Sequence, residues 1–185
     1  DSDKDDFKIK DSIWKGKSLF SLYNEAYTPW EWHKELFSFA KKEGLICFSS
    51  PFDKTAVDLL EDLKAPAYKI ASFEINDIEL IDYVASKGKP IILSTGVATL
   101  VDIQLAIETC KKAGNNEIIL LKCTSSYPAP LEDANLKMIQ KYSKDFNVIT
   151  GLSDHTIGDT CTIAAVSLGA RVIEKHFILD RKMGG

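Results

Sequence analysis

Six short, nearly all-apolar runs recur along the chain, each closing in small polar or charged residues and giving way to an amphipathic stretch. They lie at Leu45–Ser50, Ala67–Ser72, Pro90–Ser94, Ile118–Cys123, Val148–Leu152 and Val172–Phe177, with starts roughly 22 to 30 residues apart. A run apolar on both faces suits a parallel strand covered by helices. Helices are predicted between them at Thr55–Leu63, Asp77–Lys87, Thr99–Ala113, Asn135–Tyr142 and Thr160–Leu168. Gly88, Gly114 and Gly169 each follow such a stretch, where a left-handed C-cap is expected, and Asp53, Asp77 and Thr99 stand where N-caps belong.

Uninterrupted alternation of strand and helix indicates α/β architecture, either a doubly wound open sheet or a (β/α)8 TIM barrel. The chain has neither G-x-G-x-x-G nor G-x-x-x-x-G-K-[ST], the glycine-rich turns usual in doubly wound nucleotide folds. Instead every run ends in reactive groups. These are Ser49-Ser50, Lys69 with Ser72 and Glu74, Ser94-Thr95-Gly96, Thr124-Ser125 with Tyr127, Ser153-Asp154-His155, and Glu174 with His176. Six polar strand ends in succession favour a barrel rim, where chemistry gathers at the carboxyl ends of the strands.

A barrel needs eight strands and about 250 residues, whereas this chain has 185. The expectation is therefore a partial barrel of about six βα units, strands three to eight, ending at Gly184-Gly185 and lacking about two N-terminal strands. Residues 1–42 read as a loop and helical lead-in anchored by Trp14, Trp30 and Trp32, and residues 43–185 as the repeats. A hydrophobic content of 45% is enough for a globular core. The charge balance, 23 Lys+Arg against 27 Asp+Glu, leaves no basic footprint for nucleic acid. No apolar run approaches the ~18 residues of a membrane helix, and the acidic opening DSDKDD is the opposite of a secretory signal. Cys47, Cys110, Cys123 and Cys161 are irregularly spaced without a C-x-x-C pair, which reads as reduced core cysteines of a cytoplasmic protein.

Of the three histidines, His155 and His176 fall at the ends of successive predicted strands. Adjacent parallel strands lie ~4.8 Å apart, so the two imidazoles are in reach of one divalent cation such as Mn, Fe, Co or Zn. Two unrelated core histidines are the alternative. His33 lies outside any strand and reads as packing. Lys69 is embedded in an apolar strand, where a lone ammonium is expensive to bury. It must snorkel to the rim, meet an anion such as a phosphate or carboxylate, or serve Schiff-base chemistry. Lys122 raises the same question, and alternation alone does not decide its face. Ser50, Ser72, Ser94 and Ser153 recur at strand ends, where hydroxyls and backbone N–H groups can cradle an oxyanion. Glu74 and Glu174 are placed to bond hydroxyls or move protons. Gly151-Leu152-Ser153-Asp154-His155 begins like a nucleophile elbow but lacks its second glycine, which argues against a serine hydrolase. The residues suit joining or cleaving a small phosphorylated metabolite. A metal-dependent hydrolase or aldolase and a non-catalytic assembly module remain as other classes.

The strand ends also resemble the sialic acid synthase family. Ser49-Ser50-Pro51-Phe52, Tyr68-Lys69-Ile70-Ala71-Ser72-Phe73-Glu74, Leu93-Ser94-Thr95-Gly96, Cys123-Thr124-Ser125-Ser126-Tyr127-Pro128, Gly151-Leu152-Ser153-Asp154-His155-Thr156 and Glu174-Lys175-His176-Phe177 stand in the family's order. Thr28-Pro29-Trp30-Glu31-Trp32-His33 and Ser72-Phe73-Glu74 are most similar to its pseudaminic acid branch. The resemblance implies a barrel enzyme that condenses phosphoenolpyruvate with an open-chain amino sugar, giving a nonulosonic acid and phosphate. It implies His155 and His176 as ligands of Mn2+ or Mg2+, with Co2+ a further option. Lys69, Ser72, Ser94 and Ser153 would bind phosphoenolpyruvate, and Ser50 and Ser125, at positions that often hold Thr and Asn in sialic acid synthases, would be further substrate-binding residues. Glu74 and Tyr127 would contact the sugar, and Glu174 the reacting carbons. It further implies a homodimer, a C-terminal antifreeze-like domain outside this chain, and an inactive isolated fragment.

Overall fold

A computed structural model describes residues 4–10 and 14–183. Asp1–Asp3 of the acidic opening and Gly184-Gly185 lie outside the described residues. The chain divides into two units, residues 1–45 and 46–185. The first contains helices α1 (Leu19–Ala26) and α2 (Trp30–Lys42). Ser18 caps α1 by accepting the Ser21 N–H.

The second unit alternates helix and strand in the order α3 (Lys54–Asp62), β1 (Tyr68–Ile70), α4 (Ile78–Ala85), β2 (Ile91–Ser94), α5 (Leu100–Lys112), β3 (Ile118–Cys123), α6 (Lys137–Phe146), β4 (Ile149–Asp154), α7 (Thr160–Ser167) and β5 (Val172–Lys175). Local chemistry explains the boundaries. The carboxylates of Asp53 and Asp77 accept the Ala56 and Leu80 N–H groups at the starts of α3 and α4. Thr99 and Asp102 form a reciprocal capping box on α5. Gly88, Gly114 and Gly169 all have positive φ. After α7 this matters most, because at Gly169, φ +98°, the chain turns back into β5, and a Cβ would strain that conformation.

The five strands form one parallel sheet in the order β1-β2-β3-β4-β5. A doubly wound sheet reverses its strand order at a switch point, and this sheet has none. It also curls. In a flat sheet β1 and β5 would stand about 19 Å apart, four spacings of ~4.8 Å. Yet Lys69 Nζ on β1 lies 3.6 Å from Glu174 Oε2 on β5. Two side chains cannot span the flat distance, so the face carrying them is concave, as in a half-barrel.

Register assigns every side chain to a face, because directly paired residues point the same way and neighbours in a strand point opposite ways. The pairs Lys69↔Ile92, Ser94↔Leu121, Cys123↔Ser153 and Ser153↔Glu174 put Lys69, Ser94, Cys123, Ser153 and Glu174 on the concave face. Tyr68, Ile70, Leu93, Leu120 and Leu152 point the other way, toward the helices. There Leu152 packs with Ile139 of α6, Cys161 and Ala165 of α7, Ala134 and Ala170. All four cysteines are free, three of them buried. Among the described residues no helix is long and apolar enough to cross a membrane.

Four sequence expectations shift. Leu45–Ser50 is not a strand, and only Ser49 bridges to Tyr68, its carbonyl accepting the Lys69 N–H. Leu45 and Ile46 are 67% and 79% exposed. Apolar composition marks a tendency to be buried, but a ladder needs a partner, and β1 offers only three residues. The helix expected over Asn135–Tyr142 starts later, because Asn135 has φ +43°, and it runs on until Asn147 ends it in the left-handed region. The strand expected over Val148–Leu152 extends to Asp154, while β5 stops at Lys175 rather than Phe177. His155 and His176 thus each stand one residue beyond a strand.

Candidate functional site

The carboxyl ends of the strands gather most of the predicted residues on the concave face. Lys69 is buried, with Nζ 3.3 Å from the Ile70 carbonyl and 3.6 Å from Glu174. Burial pulls its ammonium below the ordinary lysine range, against the opposing pull of Glu174. Glu174 is itself oriented by Ser153, whose hydroxyl donates to Oε1 at 2.6 Å.

Among the described residues, two buried side-chain oxygens here have no hydrogen-bond partner, Ser94 Oγ and Glu74 Oε2. An orphaned buried group costs about 1–3 kcal/mol, and both lie on the rim where a ligand would satisfy them. Burial pushes the Glu74 carboxyl above its usual range.

Gly96 is the floor of the same cradle. Its N–H donates to Ser72 Oγ at 3.0 Å. A Cβ on Gly96 would fall 2.0 Å from Ser125 Oγ and 2.8 Å from Ser72 Oγ, so a side chain there would force both hydroxyls out of place. Ser125 also lies 3.8 Å from Cys123 Sγ.

His155 and His176 come together, with ring centroids 5.2 Å apart. Tyr127 leans on both, at 4.3 Å and 5.5 Å, and burial raises its hydroxyl above the ordinary range. His155 Nδ1 lies 2.8 Å from the Thr124 carbonyl. A carbonyl only accepts, so Nδ1 carries a proton, and Nε2 is the ring nitrogen left to face a metal. Among the described residues no group of three or more His, Cys, Asp or Glu could hold a metal. The pair fits a divalent cation by donor type, with the His155 Nδ1 contact turning Nε2 outward, and leaves the other positions to water and substrate.

Ser50 is half-buried and joins none of these contacts among the described residues. Lys122 points to the helix side. Its ammonium donates to the Cys123 carbonyl (2.9 Å) and Thr124 Oγ1 (2.6 Å), tying down the loop after β3. His33 Nδ1 lies 3.1 Å from the Pro29 carbonyl, within its own helix turn. A cavity of about 790 Å3 lies at the amino ends of β3 and β4, by Asn116, Glu117 and Arg171. It contains none of the predicted residues and sits at the opposite end of the strands.

Sequence reasoning placed Asp154 at a strand end and quoted Lys175 beside His176 but gave neither a role. Asp154 is 2% exposed and accepts Lys175 Nζ at 2.8 Å. Burial works to raise its pKa, but hydrogen bonds from Lys175, Thr156 and Thr162 bring it down to about 2. The signal was available, since each residue immediately precedes one of the paired histidines.

Gly151 couples fold and site. A Cβ there would lie 2.0 Å from the Val172 carbonyl on β5 and 2.8 Å from Leu121 Cδ2. The nearest atom is backbone, so the strands must part. Gly151→Ala is expected to destabilise the protein by about 1–3 kcal/mol, read as a lower urea midpoint. An unchanged midpoint would show that β4 and β5 can separate freely.

The NeuB family model matches residues 1–185. The chain is 52% identical over 182 residues to the pseudaminic acid synthase of Helicobacter pylori, an alignment covering 98% of this chain and 54% of that protein. It is 46% identical over 155 residues to the N,N'-diacetyllegionaminic acid synthase of Campylobacter jejuni, covering 83% of this chain and 46% of that one. The crystal structure of N-acetylneuraminic acid synthetase from Leptospira borgpetersenii, in complex with citrate, superposes with a TM-score of 0.83 at 34% identity. That match covers 86% of this chain and 56% of the other. The chain spans about half the length of the curated relatives it matches.

Proposed function

The chain belongs to the NeuB family, and from that premise we propose that it contributes the catalytic face of a (β/α)8 barrel that makes pseudaminic acid. The reaction condenses phosphoenolpyruvate with 2,4-diacetamido-2,4,6-trideoxy-L-altrose and releases phosphate. The observation that carries this reading is the single concave face on which a buried ammonium, two orphaned polar atoms and a histidine pair converge.

Lys69 offsets the charge of the trianionic substrate, in a site dry enough for that attraction to count. Ser94 Oγ supplies a donor with no competing partner, and Ser72, Ser125 and the Gly96 backbone line the cradle beside it. Glu174, held by Ser153, faces the reacting carbons, while Glu74 and Tyr127 bind sugar hydroxyls. C3 of phosphoenolpyruvate attacks the sugar aldehyde carbon, and the aldehyde oxygen takes up a proton. Water adds at the electron-deficient C2 that results, its protons passing to the aldehyde-derived oxygen and the departing phosphate, and the C2–O bond to phosphate breaks as the C2 carbonyl forms. A divalent cation, Mn2+ or Mg2+, held by His155 and His176 would supply Lewis-acid polarisation of the aldehyde.

The 46% identity to a legionaminic acid synthase supports a second reading, the same condensation on another amino sugar. Phosphate release by the complete natural polypeptide, measured with the altrose, N-acetylmannosamine and the legionaminic precursor, separates them. The altrose derivative is expected to give the highest kcat/KM. A higher value for either other sugar would overturn the specificity, and turnover without phosphoenolpyruvate would overturn the reaction class.

A further inference from the structure

We infer that the Asp154–Lys175 pair is a positioning device that holds His155 and His176 at a fixed separation, an inference that rests on the histidine pair being a metal site. The two residues are register partners across β4 and β5. They point to the helix side, away from the concave face, so neither touches a substrate. The Lys175 ammonium donates to Asp154 Oδ2 and to the Thr156 carbonyl, both at 2.8 Å. One cation therefore grips the residues on either side of His155, while its own chain neighbour is His176. Asp154 is saturated from other directions as well. Thr162 of α7 donates to Oδ2 at 2.8 Å, and the Thr156 N–H and hydroxyl donate to Oδ1 at 2.9 and 2.7 Å. The Ser153–Glu174 hydrogen bond ties the same strands on the concave face. Both strand ends are thus pinned on both sides at the level of the imidazoles.

Stability alone is a weak reason for such a pair, because Lys175 is partly exposed and ion pairs open to solvent contribute little. Its value lies in geometry. Groups beyond the ligands that orient metal-binding histidines commonly contribute 10–100-fold in affinity.

The test is Co2+ titration of the complete polypeptide, followed by the visible spectrum of bound cobalt, beside a thermal melt. Lys175→Met, at a side chain one-third exposed, and Asp154→Asn are expected to weaken Co2+ binding about 10–100-fold and to change the spectrum. Thr162→Val removes a bond to the same carboxylate without cutting the link between strands. It is expected to lower the melting temperature and leave cobalt affinity unchanged. A Lys175→Met protein with wild-type affinity and spectrum overturns the positioning role. So does one that cannot fold at any Co2+ concentration, since the pair then serves stability alone. Wild-type protein that takes up no cobalt instead overturns the metal reading beneath it, and shows this without any variant.

Discussion

His155→Ala and His176→Ala are each expected to lower kcat/KM by about a thousandfold or more, with the fold intact. Lewis-acid stabilisation of a developing oxyanion is worth several kcal/mol, and each 1.36 kcal/mol is a factor of ten in rate. Both rings stand just beyond strand ends, His155 half-buried and His176 exposed, and neither belongs to the buried core. Steady-state phosphate release at saturating Mn2+ measures the loss, and circular dichroism checks the fold. Two unrelated histidines would give unequal, small effects. The paired site requires both substitutions to cost alike, and the double variant to cost little more than either single one, because residues that act as a unit are not additive.

Lys69→Met is expected to cut kcat/KM for phosphoenolpyruvate by about 10^2 to 10^3, the range for removing one preorganised charge or donor. Its effect on stability should have the opposite sign. Lys69 is buried and its nearest carboxylate, Glu174, is partly exposed at 3.6 Å. Removing the ammonium relieves a desolvation cost, and Glu174 can still turn to water. The variant should therefore melt at the wild-type temperature or above. A lysine kept for structure would behave in reverse, with stability lost and kinetics spared. Urea midpoints and initial rates on the same preparation separate the two.

Much of this site is legible from residue type and spacing. Capping at Asp53, Asp77 and Thr99 depends on a few neighbouring atoms, so local sequence suffices. Lys69 stands out because an ammonium in an apolar strand demands an anion. The histidines stand out because they fall at equivalent strand ends. What local pattern cannot supply is the phase of one strand against the next. Alternation relates Lys122 to Cys123, but only the pairing of Cys123 with Ser153 puts Lys122 on the helix side. The same limit hid the pairing of Asp154 with Lys175, which exists only in the β4–β5 register. Leu45–Ser50 failed for a related reason: its composition is that of a strand, yet a strand is defined by neighbours.

Crystals of the complete polypeptide grown with Mn2+ and phosphoenolpyruvate, with anomalous diffraction collected at the manganese edge, test the account most directly. One strong peak shared by His155 and His176 is expected, with phosphoenolpyruvate lying against Lys69 and Ser94 on the same concave face. Manganese away from both rings, or phosphoenolpyruvate bound at the amino ends of β3 and β4, would contradict it.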